Sequence, residues 1–273
     1  MTLKVILHKV NYIWRVIATG LCFTIFGVGA LFLSLLVFPI QALVVHQDKK
    51  RKKLARLTVH YTFKFFIGLM SFTRIFTFKL EQATELANIK SQLVLANHPS
   101  LIDVAVLISM IPNADCVVKA HLFKNPFLRG VVKSIGYISN SDPEGLLKDC
   151  AQTLKEGNNL IIFPEGTRSQ PGEPLKFQRG AANIALRCLP PNHSIQNNFI
   201  TTVILDVTPT TLTKSDIWYK VPERKVTFSA KVVDNKFIIP QVDTENTSKE
   251  VRTFNQTLNR FFTSLLAPVN LNK

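Results

Sequence analysis

The sequence has few of the residues that build metal centres or disulfide frameworks. It contains 4 cysteines in 273 residues, at positions 22, 116, 150 and 188. None of them stands in a Cys-x-x-Cys pair or at metal-ligand spacing from a histidine. Isolated cysteines of this kind are typical of proteins in a reducing compartment. We therefore expect buried, reduced thiols and no metal site.

Acidic residues are also scarce. Asp and Glu number 18 against 33 Lys and Arg, so the formal net charge is +15. This balance suits an anionic partner, which is a nucleic acid, an acidic protein or an anionic membrane. Zinc-finger spacing, RNA-binding aromatic signatures and basic recognition helices are absent, and the chain is 47% hydrophobic with 20 Phe. We expect a membrane partner and no nucleic acid.

Charge is missing altogether from residues 16–45. This run is longer than the ~20 residues with which a helix crosses a bilayer. Gly20, Gly27, Gly29 and Pro39 interrupt it, so a span, a kinked span and a re-entrant hairpin all stay open. A buried core helix is the remaining alternative. A cleaved signal peptide is disfavoured, because no small-residue cleavage site precedes the basic residues that follow.

A basic run at residues 49–53 follows, with Arg56 just beyond it. Clustered Lys and Arg beside a membrane segment mark the cytoplasmic side and bind anionic lipid. We therefore expect residues 1–56 to be a membrane segment with a basic flank. The remainder would face the cytoplasm at the cell (inner) membrane.

Residues 57–80 combine apolar side chains at helical spacing with Lys64 and Arg74. This pattern favours an amphipathic helix lying in the membrane interface, and a core helix of the following domain is equally open. Residues 81–273 form the expected α/β domain, which ends in a C-terminal helix.

Strand and helix patterns alternate from Phe76 onward, which indicates an α/β fold with a central mostly parallel or mixed sheet flanked by helices. Strands are predicted at residues 76–80, 91–96, 115–119, 135–138, 160–163, 200–207 and 225–233, and helices at residues 101–110, 127–134, 144–156 and 180–188. A capping box at Thr247 and an apolar stripe of Val251, Phe254, Leu258, Phe261 and Leu265 predict the last helix.

A histidine and an aspartate flank the start of one predicted helix. His98 follows the apolar run 93–96, and Asp103 stands five residues later. Inside one continuous helix these side chains would point roughly 140° apart, given about 3.6 residues per turn. If His98 lies in the turn before the helix, the two can meet, and the carboxylate can orient the imidazole as a base. Otherwise Asp103 only complements the helix dipole.

A second polar stretch follows the apolar run 160–163. Gly166 permits a tight turn and close approach of a ligand to the backbone. Arg168 offers a planar fork of donors for phosphate or carboxylate, and Glu165 can orient a polar ligand or Arg168 itself. The alternative is a surface loop with a Glu–Arg ion pair. A Gly-x-Ser-x-Gly elbow is absent, so Ser100 is expected to cap a helix rather than act as a nucleophile.

The two stretches together resemble the glycerolipid acyltransferase family, whose members acylate glycerol-3-phosphate and lysophosphatidic acid. The family's Asn-His-x-x-x-x-Asp block stands here as 97–103, and its Phe-Pro-Glu-Gly-Thr-Arg-Ser block stands as 163–169. The resemblance covers residues 78–207 approximately.

The resemblance implies a membrane-bound O-acyltransferase of the lysophospholipid acyltransferase superfamily. It implies that His98 and Asp103 are catalytic and that acyl-CoA or acyl-carrier protein is a co-substrate rather than a bound cofactor. Membrane lipids are the other implied partners, with 1-acyl-glycerol-3-phosphate as the acceptor. The implied substrate-binding residues are Asn97, Lys119, Glu165, Gly166, Thr167, Arg168 and Arg179.

Two positions depart from the family pattern. The family's phosphate-acceptor members carry an Arg shortly after the glycine that matches Gly136. In this sequence Asp142 stands at the position of that Arg. In a later Ile-x-Pro-Val segment of the family, Thr202 stands where the family has proline. The acceptor is therefore open between a lysophospholipid and a specialised, non-phosphate lipid such as an aryl polyene. A non-catalytic binder of membrane lipid or carrier protein and a lipid hydrolase are further alternatives.

Overall fold

The apolar runs after residue 75 assemble into a seven-stranded sheet. The computed structural model describes residues 3–188, 199–233 and 247–267. The strand order is β1-β7-β6-β2-β5-β3-β4, and every pairing is parallel except β6 with β7. The expected mostly parallel, mixed sheet is confirmed. The strands are β1 Phe76–Leu80, β2 Leu93–Ala96, β3 Ala114–Val118, β4 Ile138–Ser139, β5 Asn159–Ile162, β6 Ile200–Thr208 and β7 Val226–Val233.

Helices cover both faces of the sheet, as parallel strands require. Alternate residues of β2 show this: Val94 and Ala96 face one apolar cluster, while Leu93 and Leu95 face the other. Helices α7, α8 and α9 line the second cluster, and the earlier helices line the first. The helices are α1 Leu3–Phe32, α2 Phe38–Val44, α3 Asp48–Phe72, α4 Ala83–Asn88, α5 Asp103–Met110, α6 Arg129–Ile135, α7 Pro143–Lys155, α8 Arg179–Arg187 and α9 Thr247–Leu266.

The uncharged N-terminal run is helical as far as Val44. A π-helical segment, Leu33–Val37, joins α1 to α2, and the glycines do not break the helix. The stretch Lys4–Val44 is long and apolar enough to cross a membrane by length and composition, and 22% of its most apolar window is buried. The chain reverses only at residues 45–47, so the helix is not itself folded into a hairpin.

One side of this long helix packs against the rest of the protein. Phe26 stacks on Phe63 of α3 with ring centroids 6.0 Å apart. Farther along, Ser34 lies so close to Gly130 of α6 that a Cβ at position 130 would collide with it. The opposite side exposes a stripe of large apolar residues that includes Ile17, Leu21, Val28 and Leu35.

Helix α3 begins earlier than the apolar pattern predicts. It contains the basic run, whose Lys52 pairs with Asp48 at 3.1 Å. The expected boundary after residue 56 therefore falls inside α3. The boundary expected after residue 80 falls at the end of β1, which is an edge strand of the sheet. Helix α3 also packs closely on α5, so it is partly a core helix.

Arg56 lies in the core, although the sequence placed it in the basic flank of the expected membrane segment. Its guanidinium donates to both carboxylate oxygens of Asp115 in β3, and the distance from Nη2 to Oδ2 is 2.8 Å. Thr153 of α7 donates to the same Oδ2 at 2.9 Å. Burial raises the pKa of Asp115, and the charge of Arg56 partly opposes that rise. This pair connects the N-terminal helices to the sheet.

The ends of several elements differ from their predicted positions. Helix α6 runs to Ile135, so only Ile138–Ser139 forms the strand predicted at 135–138. The buried stripe of α9 passes through Phe262 and leaves Leu265 exposed, because the 3.6-residue period drifts along the helix. Helix α9 includes Thr247, which the expected capping box places just before the helix, and the Thr247 side chain lies outside the described residues.

We expect Arg56→Met to destabilise the protein by about 3–5 kcal/mol, because Asp115 would remain buried without its cation. Thermal unfolding of detergent-solubilised protein measures the effect. Lys53→Met, at an exposed position one turn away on α3, is the matched control. Adding Asp115→Asn to Arg56→Met should recover part of the loss. Equal midpoints for Arg56→Met and Lys53→Met would contradict the prediction.

Candidate active site

Two loops meet at the carboxyl edge of the sheet. Because β2 and β5 are parallel neighbours, their carboxyl ends lie side by side, and His98 and Glu165 follow them directly. The His98 amide donates to Glu165 Oε1 at 2.9 Å, and the Ser169 amide donates to the His98 carbonyl at 2.8 Å. These hydrogen bonds hold the two sequence motifs together.

His98 and Asp103 form the predicted pair. His98 Nδ1 lies 2.7 Å from Asp103 Oδ2, which also accepts the Ser100 amide at 2.8 Å. Helix α5 begins at Asp103, two residues later than predicted, and Leu101 and Ile102 form a turn. His98 therefore lies before the helix, and the chain folds back on Asp103.

The environment of the pair keeps both groups in place. Asp103 is fully buried, and burial raises the pKa of its carboxyl to about 6 against the opposing effect of the hydrogen bond from His98. Asp103 Oδ1 has no hydrogen-bond partner within the described part of the chain. The imidazole stacks on Phe163, with ring centroids 4.1 Å apart, and its side chain is 17% exposed. With Nδ1 bound to Asp103, Nε2 is the nitrogen that can take a proton.

Glu165 positions the backbone instead of pairing with Arg168. Its Oε1 accepts from the His98 amide, and its Oε2 accepts the Ser169 hydroxyl at 2.7 Å. Within the described residues no ion pair joins Glu165 to Arg168, so the alternative of a surface Glu–Arg pair is wrong. Ser169 is a site residue that the sequence reasoning missed, although it ends the second motif.

Arg168 is fixed by the loop that follows β6. Its Nη1 donates to the carbonyls of Leu212 and Thr213 at 2.9 Å and 2.8 Å. A cleft of about 230 Å³ adjoins it. Lys214 also lines this cleft, and no local motif in the sequence marks it, because only the tertiary fold brings residue 214 beside 168. The lining comprises Glu165, Thr167, Arg168, Ser169, Gln170, Glu173, Pro174, Leu175, Lys176, Gln178 and Lys214.

Gly166 makes the turn that exposes this cleft. Its φ is +66°, and its amide donates to the Phe163 carbonyl at 3.0 Å. A Cβ at this position would lie 3.2 Å from Gln178 Cγ. Both the backbone conformation and the close approach therefore favour glycine. Thr167 follows, half-buried at the cleft wall.

The Asn97 side chain binds the backbone of strand β6, which the sequence did not indicate. Its side-chain amide donates to the Leu205 carbonyl at 2.7 Å and accepts from the Leu205 amide at 2.8 Å. It therefore extends the pairing of β2 with β6 past Ala96. With its donor and acceptor both used and its side chain buried, Asn97 lies outside the lining of the cleft, and its role in substrate binding stays a prediction.

Lys119 and Arg179 lie outside the lining of the cleft. Lys119 follows β3 at the same edge of the sheet and is exposed. Arg179 is the exposed first residue of α8. Asp142, at the position where the family pattern places an Arg, caps α7 by accepting the amides of Glu144 and Gly145 at 3.1 Å each.

Backbone amides around His98 are already occupied. The amides of His98, Ser100 and Leu101 donate to Glu165, Asp103 and the Leu212 carbonyl respectively. The Ser100 hydroxyl donates to the Thr211 carbonyl at 3.0 Å, so Ser100 does not cap α5 as expected. Across the described residues no group of three or more His, Cys, Asp and Glu side chains is placed to hold a metal ion.

The known proteins to which this chain is similar are described as acyltransferases. A family model described as Acyltransferase matches residues 77–205. The 1-acyl-sn-glycerol-3-phosphate acyltransferase BAT2 of Brassica napus is 28% identical over 178 residues, covering 62% of this chain and 49% of the relative. The 1-acyl-sn-glycerol-3-phosphate acyltransferase of Helicobacter pylori is 37% identical over 102 residues, covering 35% of this chain and 43% of that relative. The chain spans about half the length of the curated relatives it matches.

The fold has a solved counterpart. The crystal structure of the 1-acyl-sn-glycerophosphate (LPA) acyltransferase PlsC from Thermotoga maritima aligns with a TM-score of 0.57 at 19% identity, covering 94% of this chain and 98% of that one. At this identity the likeness shows the fold alone. The matched family model includes both motifs and the strands that bring them together. Residues 77–205 of this chain, which contain both motifs, are thus similar to the acyltransferase family.

Proposed function

We propose that this protein is a membrane-bound O-acyltransferase that moves a fatty acyl group from a thioester to the hydroxyl of a lysophospholipid. The observation that carries the proposal is the 2.7 Å contact between His98 Nδ1 and buried Asp103. A buried carboxylate that orients one imidazole nitrogen makes the other a general base. A protein that only bound lipid would not need that arrangement.

The reaction follows from this geometry. His98 Nε2 takes the proton from the acceptor hydroxyl as its oxygen attacks the thioester carbonyl carbon. The tetrahedral intermediate collapses, the carbon–sulfur bond breaks, and the thiolate leaves with the proton from the imidazolium. Asp103 stabilises the imidazolium in between. Because the amides beside His98 already have partners, Lys119 is the proposed source of positive charge for the oxyanion.

The acceptor is proposed to be anionic, with 1-acyl-sn-glycerol-3-phosphate as the first candidate. Two observations support it: the names of the relatives, and the three cations Arg168, Lys176 and Lys214 in the wall of the cleft. These side chains could supply the charge that is absent at Asp142. A non-phosphate acceptor is the second candidate, and the exposed, acidic Asp142 is the observation that favours it.

The donor and the cellular site complete the proposal. Acyl-CoA and acyl-carrier protein are both anionic, and the net charge of +15 suits either. The exposed apolar stripe of α1 would enter the bilayer, and the basic run at the start of α3 would lie at the head groups of the inner membrane's cytoplasmic leaflet.

His98→Ala should lower acyl transfer by roughly 10²–10⁴-fold, because the general base is removed. Purified protein in detergent, labelled acyl-CoA or acyl-carrier protein and lysophosphatidic acid provide the assay. His46→Gln, at an exposed histidine between α2 and α3, is the control and should retain full activity. Near-normal turnover by folded His98→Ala would contradict the mechanism.

Activity should fall as the pH decreases through about 6, where Asp103 takes up a proton and no longer stabilises the imidazolium. This fall is the acid limb of the pH–rate profile. A kcat/KM profile from pH 5 to pH 9 measures it. Asp103→Asn should be slow throughout and should lose this acid limb. If Asp103→Asn kept the acid limb unchanged, a group other than Asp103 would cause the loss of activity at low pH.

Lys214→Gln should raise the KM for lysophosphatidic acid by about tenfold, as expected for the loss of one charged contact of about 1.4 kcal/mol. Its kcat should change little, because Lys214 does not touch the reacting atoms. Lys249→Gln, at an exposed position on α9, is the matched control. The KM for monoacylglycerol, which lacks the phosphate, should be the same for both variants. Equal KM values for lysophosphatidic acid in both variants would favour a neutral acceptor.

A further inference from the structure

The loop between β6 and β7, residues 209–225, ends in an exposed apolar tip. Ile217, Trp218 and Tyr219 are adjacent in sequence and remain 50%, 48% and 51% exposed. We define these residues as the 217–219 tip. Large aromatic residues in water normally bury more of their surface, and a run of exposed ones marks an interaction site.

Local hydrogen bonds give the tip a definite shape. The Lys220 amide donates to the Ile217 carbonyl at 3.0 Å, which closes a turn. Just before it, Asp216 Oδ2 accepts from the Thr213 amide at 2.9 Å. The side chains are therefore presented by an ordered turn.

The tip lies against the apolar N-terminal helix. The Trp218 ring comes within 3.2 Å of the position of a Cβ at Gly20, and it meets Phe23 edge-on with centroids 6.4 Å apart. Arg15 holds the end of the loop by donating to the carbonyls of Pro222 and Glu223. Next to Gly20 on α1, Ile17 and Leu21 are exposed. The tip and this stripe are thus parts of one surface.

Basic residues surround the tip. Lys214, Lys220, Arg224 and Lys225 are all exposed. Asp216 is engaged with the Thr213 amide, so Glu223 is the other carboxylate of the loop. Trp and Tyr beside Lys and Arg form the combination found where proteins meet the head groups of an anionic bilayer.

We propose that the 217–219 tip inserts into the surface of an anionic phospholipid bilayer and is a second membrane contact beside α1. This inference rests on the membrane placement in the proposed function. Continuity with the exposed apolar stripe of α1 distinguishes a bilayer from an acidic carrier protein, which would need no such extension.

The same loop reaches the active site. Leu212 and Thr213, whose carbonyls hold Arg168 Nη1, precede the tip by only a few residues. Contact of the tip with head groups therefore places the Arg168 cleft at the surface where a lipid acceptor resides. Tip residues are positioning residues in this scheme, since they touch neither the acceptor nor the reacting atoms.

Tryptophan fluorescence tests the placement, because the chain contains only Trp14 and Trp218. Trp14→Phe leaves Trp218 as the probe, and Trp218→Phe leaves Trp14. Each full chain is reconstituted into phosphatidylglycerol–phosphatidylcholine vesicles with lipids brominated near the head-group end of the acyl chains. We expect strong quenching of Trp218. Quenching of Trp14 alone would overturn this proposal, and quenching of neither would overturn the membrane placement itself.

An activity comparison tests the consequence. Ile217→Ser with Tyr219→Ser keeps Trp218 against α1 and removes apolar surface, and Leu265→Ser, an exposed apolar residue on α9, is the control. We expect the rate with vesicle-embedded acceptor to fall about tenfold relative to the rate with a water-soluble short-chain acceptor. An unchanged ratio would overturn the proposal. A raised KM for acyl-carrier protein with no change toward vesicles would assign the tip to that protein instead.

Discussion

The parallel pairing of β2 with β5 is the constraint on which the site depends. Parallel neighbours end at the same edge of a sheet, so the segments that follow them must share space there. The hydrogen bonds between the His98 backbone, Glu165 and Ser169 use that proximity. They explain why a motif Glu is buried beside a motif His: its carboxylate accepts hydrogen bonds from the His98 amide and the Ser169 hydroxyl. The adjacent β6 adds the loop that holds Arg168.

The histidine–aspartate pair shows how burial and hydrogen bonding oppose each other. Removing the Asp103 carboxylate from water favours its neutral form, while the imidazole and the Ser100 amide favour the anion. Both donors converge on Oδ2. The result is a carboxyl whose pKa is raised to about 6.

The N-terminal helices are attached to the domain by polar and apolar contacts on one side only. Arg56 and Asp115 form a buried ion pair between α3 and the sheet, and Phe26 packs on Phe63. The other side of α1 is apolar and exposed over most of its length. A helix covered along one side by a domain suits a bilayer surface, where its apolar side can enter the hydrocarbon while the domain stays in water. The 217–219 tip extends the same surface.

The sequence by itself determined the alternation of strands and helices, the two motifs and the His98–Asp103 pair, because these depend on local periodicity and short spacings. Other features were decided only by the tertiary structure. Asn97 binds the backbone of β6, Arg56 enters the core, and Lys214 lines the cleft beside Arg168. Each of these side chains meets a partner that is distant in sequence. Which long-range partner a polar side chain meets depends on strand order and loop paths, and no local pattern in the chain encodes these.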